Sequence, residues 1–370
     1  MIMKVKAPGR ICLFGEHQDY LGFPIMAAAI NKHIFLESNP SNRDVSIIEM
    51  PDIGDSMELN LKVHKEKVYE SKREYLKSGY NVLLREGYKW RTIRPQSIKI
   101  TGNIPINAGA SSSSALVIGW LAMLTELAGE KLIAERIASQ GYQAEVLEFN
   151  EGGGMMDHYA SALGGLIYMQ TWPEFIPEKI DINDEVFKRS FILINSEQKK
   201  ETVDDLIRTK ERALKSFKVI QGLFPDFNKY STTINDIEQF KGQIEKDLYD
   251  ILQGNLENRD LTKAARDFLI KNQGKTLDSN QKKAFGELLY KHHHNLSKKI
   301  GVSTPKIDEI LELCIDAGAY GGKINGSGFG GTLFVYCPDH YEDVLDELNK
   351  KAIEHYPIEI SSGVRVKNEE

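Results

Sequence analysis

Short runs of apolar and polar positions open the chain. Residues 4–7 alternate, residues 11–14 and 25–30 are continuous apolar runs of strand length, and Gly22 and Pro24 mark the turn between them. Pro8-Gly9 predicts a break inside the first of these stretches. Further strands are predicted at 34–36, 45–48, 98–100, 166–169, 191–194 and 333–336, with a last one near 364–366. Residues 66–77 read as a polar helix, and 134–149, 202–217, most of 235–300, 307–317 and 340–356 as further helices. Residues 115–127 are apolar all round, which predicts a helix buried between layers. Strands and helices cluster rather than strictly alternate, so the expected fold class is α+β. A length of 370 residues fits two domains. The boundary is expected near 170–190, dividing the chain into 1–180 and 181–370.

Charge narrows the partners. There are 47 Lys and Arg against 53 Asp and Glu, a net charge of −6, which is the wrong sign for a nucleic-acid footprint. No apolar run reaches the roughly 18 residues of a membrane span, and no secretory segment opens the chain. Cys12, Cys314 and Cys337 are odd in number and widely spaced, so they read as reduced thiols of a cytoplasmic protein rather than a disulfide or zinc framework. The expected partner is a small molecule, with neither nucleic acid nor membrane.

Four segments carry candidate chemistry. Residues 105–115, Pro-Ile-Asn-Ala-Gly-Ala-Ser-Ser-Ser-Ser-Ala, run straight into the apolar helix. Small residues let a backbone approach a ligand, and unpaired N–H groups at a helix start attract anions. A phosphate loop is favoured there over a flexible linker; it is neither a Walker A loop nor a dinucleotide fingerprint. Residues 321–331 form a second glycine cluster before a strand, read either as a ligand loop or as close packing. Arg10, Glu16, His17 and Asp19 bracket an apolar strand, where carboxylates could grip the hydroxyls of a polyol or simply pair with the arginine. Asp157 follows Gly152-Gly153-Gly154 and suits either a base at a helix start or an ordinary cap. His292, His293 and His294 fall in a helix, where consecutive residues do not share a face, and are expected to be structural or solvent-facing.

Taken together and in order, these segments resemble the GHMP kinase superfamily, from Lys6 to Pro338. Residues 8–20 resemble the galactokinase signature G-R-x-N-L-I-G-E-H-x-D-Y. Residues 105–115 resemble the phosphate loop P-x-G-x-G-L-S-S-S-A, and residues 323–331 the third motif. Within the family the chain leans toward the galactokinase branch: Met155-Met156-Asp157-His158 resembles G-I-M-D-Q, Gln143-Ala144-Glu145 resembles A-E-H, and Arg10 stands where mevalonate kinases carry lysine.

The resemblance implies a two-domain GHMP kinase fold with the active site in the cleft between domains. It implies an ATP-dependent, Mg²⁺-dependent kinase of a sugar hydroxyl, the anomeric one by analogy with galactokinase. On that reading Asp157 and Arg10 are catalytic, and Glu16, His17, Asp19 and Gly154 bind the acceptor. ATP phosphates lie on Asn107, Ala108, Gly109, Ala110, Ser111, Ser112, Ser113 and Ser114, with Gly328 and Gly330 closing over them. Ser113 and Glu145 hold Mg²⁺.

The chain also departs from the pattern. Cys12, Asn107, Ala110 and His158 replace signature residues, and no tyrosine- and arginine-rich segment for galactose is found. Seven residues precede Pro8, so the longer galactokinase leader is expected to be absent. Two alternatives stay open: a mevalonate-type kinase, and a non-catalytic sugar- and ATP-binding regulator on the same fold.

Overall fold

In the first sheet, long apolar runs become strands that face helices on one side. The computed structural model describes residues 2–90, 93–105, 109–181, 187–198 and 202–369. In chain order the strands and helices are β1 (Ile2–Phe14), β2 (Ile25–Pro40), β3 (Ser46–Met50), β4 (Asp55–Leu59), α1 (Tyr75–Arg85), β5 (Gln96–Gly102), α2 (Ser112–Leu127), α3 (Ala134–Tyr142), α4 (Met156–Leu163), β6 (Leu166–Gln170) and β7 (Ile176–Ile180). The second half adds β8 (Phe191–Asn195), α5 (Thr202–Leu223), α6 (Ile234–Glu238), α7 (Lys246–Lys271), α8 (Ser279–His294), α9 (Pro305–Asp316), β9 (Gly321–Asn325), β10 (Thr332–Tyr336), α10 (Tyr341–Lys350), β11 (His355–Ile358) and β12 (Arg365–Glu369).

The larger sheet runs β12-β1-β2-β5-β3-β4, with β6 on the first part of β2 and β7 beside β6. Only the β3–β5 pair is parallel among these strands. The smaller sheet runs β11-β8-β10-β9 and is antiparallel throughout. α2 lies against β1 and β2 on one side and α1 and α3 on the other, which is why it is apolar all round. Its Trp120 indole donates to the Leu76 carbonyl at 2.8 Å, so even this buried ring is satisfied. α9 and α10 cover the smaller sheet, and α5 and α7 share a third core around Phe217, Ile220 and Leu252. Among the described residues no helix is long and apolar enough to cross a membrane.

Several expectations change. Pro8-Gly9 does not break the first strand: β1 continues through it with a register shift between Pro8 and Arg10. A bulge tolerates proline's missing N–H, and a Cβ on Gly9 would lie 2.5 Å from the Ala110 carbonyl oxygen. Residues 66–74 are not helical; the helix begins at Tyr75, where Leu76, Tyr80 and Leu83 supply a buried stripe that the charged segment before it lacks. The helix expected over 134–149 changes pitch at Gln143 and ends as a π-turn through Leu147. The helix expected over 340–356 stops at Lys350 and gives way to β11. The first half of the second glycine cluster is itself a strand, β9.

The C-terminal chain returns to the first sheet. β12 pairs with β1, and Ile30–Ile360 and Gly164–Ser362 bridges tie the intervening segment down. Gly164 has φ 68° and ψ 179°, a region open only to glycine, and a Cβ there would lie 1.7 Å from the Gly363 nitrogen. Gly164→Ala is therefore expected to cost at least about 2 kcal/mol. Gly54→Ala, also at positive φ but with nothing within 4 Å, should cost about 1 kcal/mol. Denaturant midpoints of the two variants check this, and equal costs would exclude a packing role for the Gly164–Gly363 approach.

Candidate active site

A cleft of about 800 Å³ opens where the turn after β1, the start of α2, the start of α4 and the 326–327 turn of the smaller sheet converge. Arg10 lies at its floor on β1, buried, and a buried guanidinium needs acceptors. It finds them in Asp157, held by two parallel bonds, Nε to Oδ1 at 2.8 Å and Nη2 to Oδ2 at 2.9 Å. Its Nη1 donates to the Gly109 carbonyl at 2.5 Å. The Ser111 hydroxyl donates to Asp157 Oδ2 at 2.6 Å. Burial disfavours ionisation of Asp157, but the Arg10 charge and the hydrogen bonds from Ser111 and Arg10 outweigh it. The carboxyl is held below its usual range.

Ser111 is the residue before α2 and has φ 62°, a conformation uncommon outside glycine. Its side chain does not cap α2 because it is turned to Asp157. The first-turn N–H groups of α2 thus have no side-chain cap, and Gly109 and Ser111–Ser114 line the cleft beside them. Ala110 is buried instead, its carbonyl accepting from the Arg10 amide at 3.2 Å. Asn107 and Ala108 lie outside the described residues. Gly328 and Gly330 are not among the cleft-lining residues; Gly326 and Ser327 stand there instead. A Cβ on Gly328 would meet the Val302 carbonyl at 2.2 Å and one on Gly330 the Gln198 carbonyl at 2.7 Å, so close packing accounts for both glycines.

The acceptor side is built around Asp19. Its Oδ1 accepts from the Tyr20 amide at 2.8 Å, and it packs so tightly on Gly154 that a Cβ there would lie 1.8 Å from Oδ2. Burial pushes its carboxyl up to about 6, helped by the nearby Asp157 charge and resisted by the Tyr20 amide. Glu16 lines the cleft, yet both its oxygens are engaged: Oε2 with the Lys323 ammonium and Oε1 with the Gly326 amide. His17 is also occupied. Its Nε2 faces the Ser327 carbonyl at 3.0 Å, which can only accept, so Nε2 carries a proton. Its Nδ1 lies 2.7 Å from the Tyr20 hydroxyl.

Glu145 Oε2 meets His158 Nε2 at 2.7 Å, and its other oxygen has no hydrogen bond among the described residues. Glu145 and Ser113 both line the cleft. Asp157 and His158 are neighbours on α4, which places the Arg10 partner and the Glu145 partner side by side.

Residues that sequence reasoning passed over lock this geometry. Lys323 on β9 is fully buried and donates to Cys12 O at 2.7 Å, Ile324 O at 2.8 Å and Glu16 Oε2 at 2.5 Å. Asn325 accepts from the Cys12 amide at 2.9 Å and donates to the Gly109 carbonyl at 3.1 Å, joining the third motif to the first two. His292 and His293 are both buried in structural roles while His294 is exposed, and His292 Nε2 accepts from the Gly15 amide at 2.9 Å. Burial holds His292 neutral, as that bond requires. Arg73, Tyr75, Glu151, Asn195, Gln198 and Leu206 complete the wall. A lysine inside a strand of otherwise small or apolar residues was the one signal in the sequence that pointed to Lys323.

Lys323→Met should leave Glu16 buried without its counter-charge, at a cost of about 3–5 kcal/mol. The double variant Lys323→Met with Glu16→Gln should recover part of that loss. Denaturant midpoints check this, and an unchanged midpoint in the single variant would show that the pair does not hold the cleft together.

With this geometry in hand, comparison with known proteins is direct. Residues 3–39 match the family model for the galactokinase galactose-binding signature, 74–165 the GHMP kinases N-terminal domain, and 275–354 the GHMP kinases C-terminal domain. The galactokinase of Thermotoga maritima is 26% identical over 366 residues, covering 96% of this chain and 94% of that one. A mevalonate kinase of Thermococcus gammatolerans is 27% identical over 355 residues, covering 93% and 92%. Among solved structures, Lactococcus lactis galactokinase complexed with galactose superposes with a TM-score of 0.81 at 20% identity, covering 98% of this chain and 95% of that one. Three matches in family order, together spanning more than half of the chain, and relatives aligned end to end establish that it belongs to the GHMP kinases.

Proposed function

We propose that this protein transfers the γ-phosphate of ATP to a sugar hydroxyl, the anomeric one, as a galactokinase-like enzyme of the cytoplasm. The observation that carries the reading is the Arg10–Asp157 pair, tied by Ser111 and Gly109 to the start of α2. One carboxylate is thereby fixed next to both the expected phosphate loop and the acceptor pocket of Asp19 and Gly154. The match of residues 3–39 to a galactose-binding signature supports a sugar over mevalonate. The buried thiols of Cys12, Cys314 and Cys337 suit a reducing compartment.

ATP phosphates would rest on the loop from Asn107 to Ser114, drawn by the open amides of α2. Glu145 and Ser113 present hard oxygen donors of the kind Mg²⁺ takes, and the ion would offset charge on the β- and γ-phosphates. Among the described residues no group of three or more His, Cys, Asp or Glu could enclose a metal. His158 holds the Glu145 carboxylate in place for that task. Asp157 accepts a hydrogen bond from the attacking hydroxyl and orients it. A carboxylate this acidic takes the proton once the hydroxyl has been acidified by bond formation to phosphorus. Arg10 keeps Asp157 ionised and adds positive charge near the transferring group. Asp19 accepts hydrogen bonds from acceptor hydroxyls, while Glu16 and His17 shape the pocket through their bonds to Gly326 and Ser327.

Mg²⁺-dependent ADP release against neutral hexoses, pentoses, uronic acids and mevalonate, followed by phosphorus NMR of the product, tests the reading. Phosphate on an anomeric oxygen is the expected result. Turnover of mevalonate alone would overturn the sugar assignment, and ATP binding without turnover of any acceptor would favour a regulator. Asp157→Asn should lose about 10²–10⁴-fold in kcat and also some stability, because it leaves the buried Arg10 without its counter-charge; normal turnover would remove Asp157 from the mechanism. The Asp19 carboxyl, raised from 3.8 to about 6, is mostly protonated at pH 5 and mostly ionised at pH 7. Only the ionised form accepts two hydroxyl bonds, so the acceptor KM should fall as pH rises through about 6, and Asp19→Asn should abolish that trend. The folded state binds this proton more tightly than the unfolded chain, so without acceptor Asp19 costs stability as pH climbs from 3.8 to about 6. An acceptor KM equally pH-dependent in the variant would place the titrating group elsewhere.

A further inference from the structure

Behind Asp19 a second cavity of about 280 Å³ continues the cleft. Asp19, Tyr20, Gly153, Gly154 and Met156 line both spaces, so it opens from the acceptor side rather than from the phosphate side. Its remaining wall is divided by chemistry. Ile25, Met155 and Phe175 are apolar and suit the C–H face of a sugar. Tyr142, Thr171 and Lys210 are polar, and each stands on a different element or loop.

These three groups share one property. Among the described residues Lys210 makes no hydrogen bond or ion pair; its ammonium lies 5.7 Å from the Tyr20 ring centroid. Thr171 Oγ1 is buried and has no hydrogen-bond partner. The Tyr142 ring packs edge-on to His158, but its hydroxyl is likewise without a partner among the described residues. An ammonium can only donate, and both hydroxyls can donate. Asp19, on the same wall, is already served by the amides of Tyr20 and Met156 and forms no ion pair with Lys210. A recess lined by three donors with no partner among the described residues, one of them an ammonium, has a place for an anionic acceptor of hydrogen bonds.

We propose that this cavity binds a carboxylate carried by the acceptor, on Lys210, Tyr142 and Thr171, so that the sugar phosphorylated in this cleft is a uronic acid. The inference rests on the sugar-kinase reading and names its substrate class. Asp19 and Gly154 hold ring hydroxyls at the mouth of the cavity, the acidic group enters it, and the reacting hydroxyl stays at Asp157. No covalent chemistry takes place in the cavity.

Titration calorimetry of D-galacturonate and D-galactose into the full-length wild-type protein and into Lys210→Met reads binding without turnover. Galacturonate is expected to bind wild type more tightly than galactose. The variant is expected to lose at least about tenfold in galacturonate affinity, as for a hydrogen bond to a charged group, and the preference for the acidic sugar should fall by the same factor. Lys210→Arg should keep more of the preference than Lys210→Met, and Thr171→Val should lower it several-fold. The ratio of kcat/KM for the two sugars should move in parallel. Galactose binding with no galacturonate binding, or an equal effect of Lys210→Met on both, would overturn the inference and leave the kinase reading intact. Binding of galactose 6-phosphate in preference to galacturonate would keep the anion site and overturn the carboxylate. If neither sugar binds and mevalonate is turned over, both readings fall together.

Discussion

The guanidinium of Arg10 sits at the floor of the cleft, out of water, and a charge in that position persists only where acceptors surround it. Asp157 supplies two, Gly109 a third, and these come from α4 and from the segment before α2. Satisfying one buried cation therefore fixes the distance between the start of α2 and the start of α4. Ser111 adds a bond to the same carboxylate and leaves the α2 amides facing the cleft. The proposed phosphate site, the proposed reacting carboxylate and the strand that bears Arg10 become one rigid unit for electrostatic reasons.

A second buried cation does the same for the smaller sheet. Lys323 reaches across from β9 to Cys12 and Glu16, and Asn325 on the same strand reaches Cys12 and Gly109. Both side chains spend their bonds on backbone and carboxylate groups of the larger half. The two halves meet through these contacts, with Glu16 and His17 facing the 326–327 turn. The C-terminal strand β12 returns to the first sheet and pairs with β1 through backbone hydrogen bonds. A division near residues 170–190 therefore remains a proposal about domains whose ends are interwoven.

Much was legible in the chain itself. Apolar runs announced β2, β6, β8 and β10, and the all-round apolar segment announced α2, because burial on every side leaves a pattern in the residues alone. The cluster of small residues before α2 and the glycines before Asp157 pointed to the cleft because close backbone approach restricts composition. The misreadings have physical causes. Residues 66–74 carry helix-tolerant polar residues without a face to bury, so propensity had nothing to act on. Pro8-Gly9 looked like a stop because proline usually ends pairing, yet a bulge absorbed it. Gly328 and Gly330 pack against backbone carbonyls, and such packing demands the same missing Cβ that binding a ligand would.

What the sequence determined by itself is the set of local facts: strand and helix segments, an acidic net charge, the ordered motifs, and Arg10, Asp19, Glu145 and Asp157 as the charged residues of interest. Periodicity, composition and motif spacing are properties of neighbouring residues and survive in one dimension. Tertiary structure alone decided which charges meet. It gave Asp157 rather than Glu16 or Asp19 to Arg10, committed Glu16 to a lysine 307 residues away, and brought Tyr142, Thr171 and Lys210 to one cavity behind Asp19. Pairing of buried charges depends on distances and desolvation between segments far apart in the chain, and these exist only once the two sheets have packed.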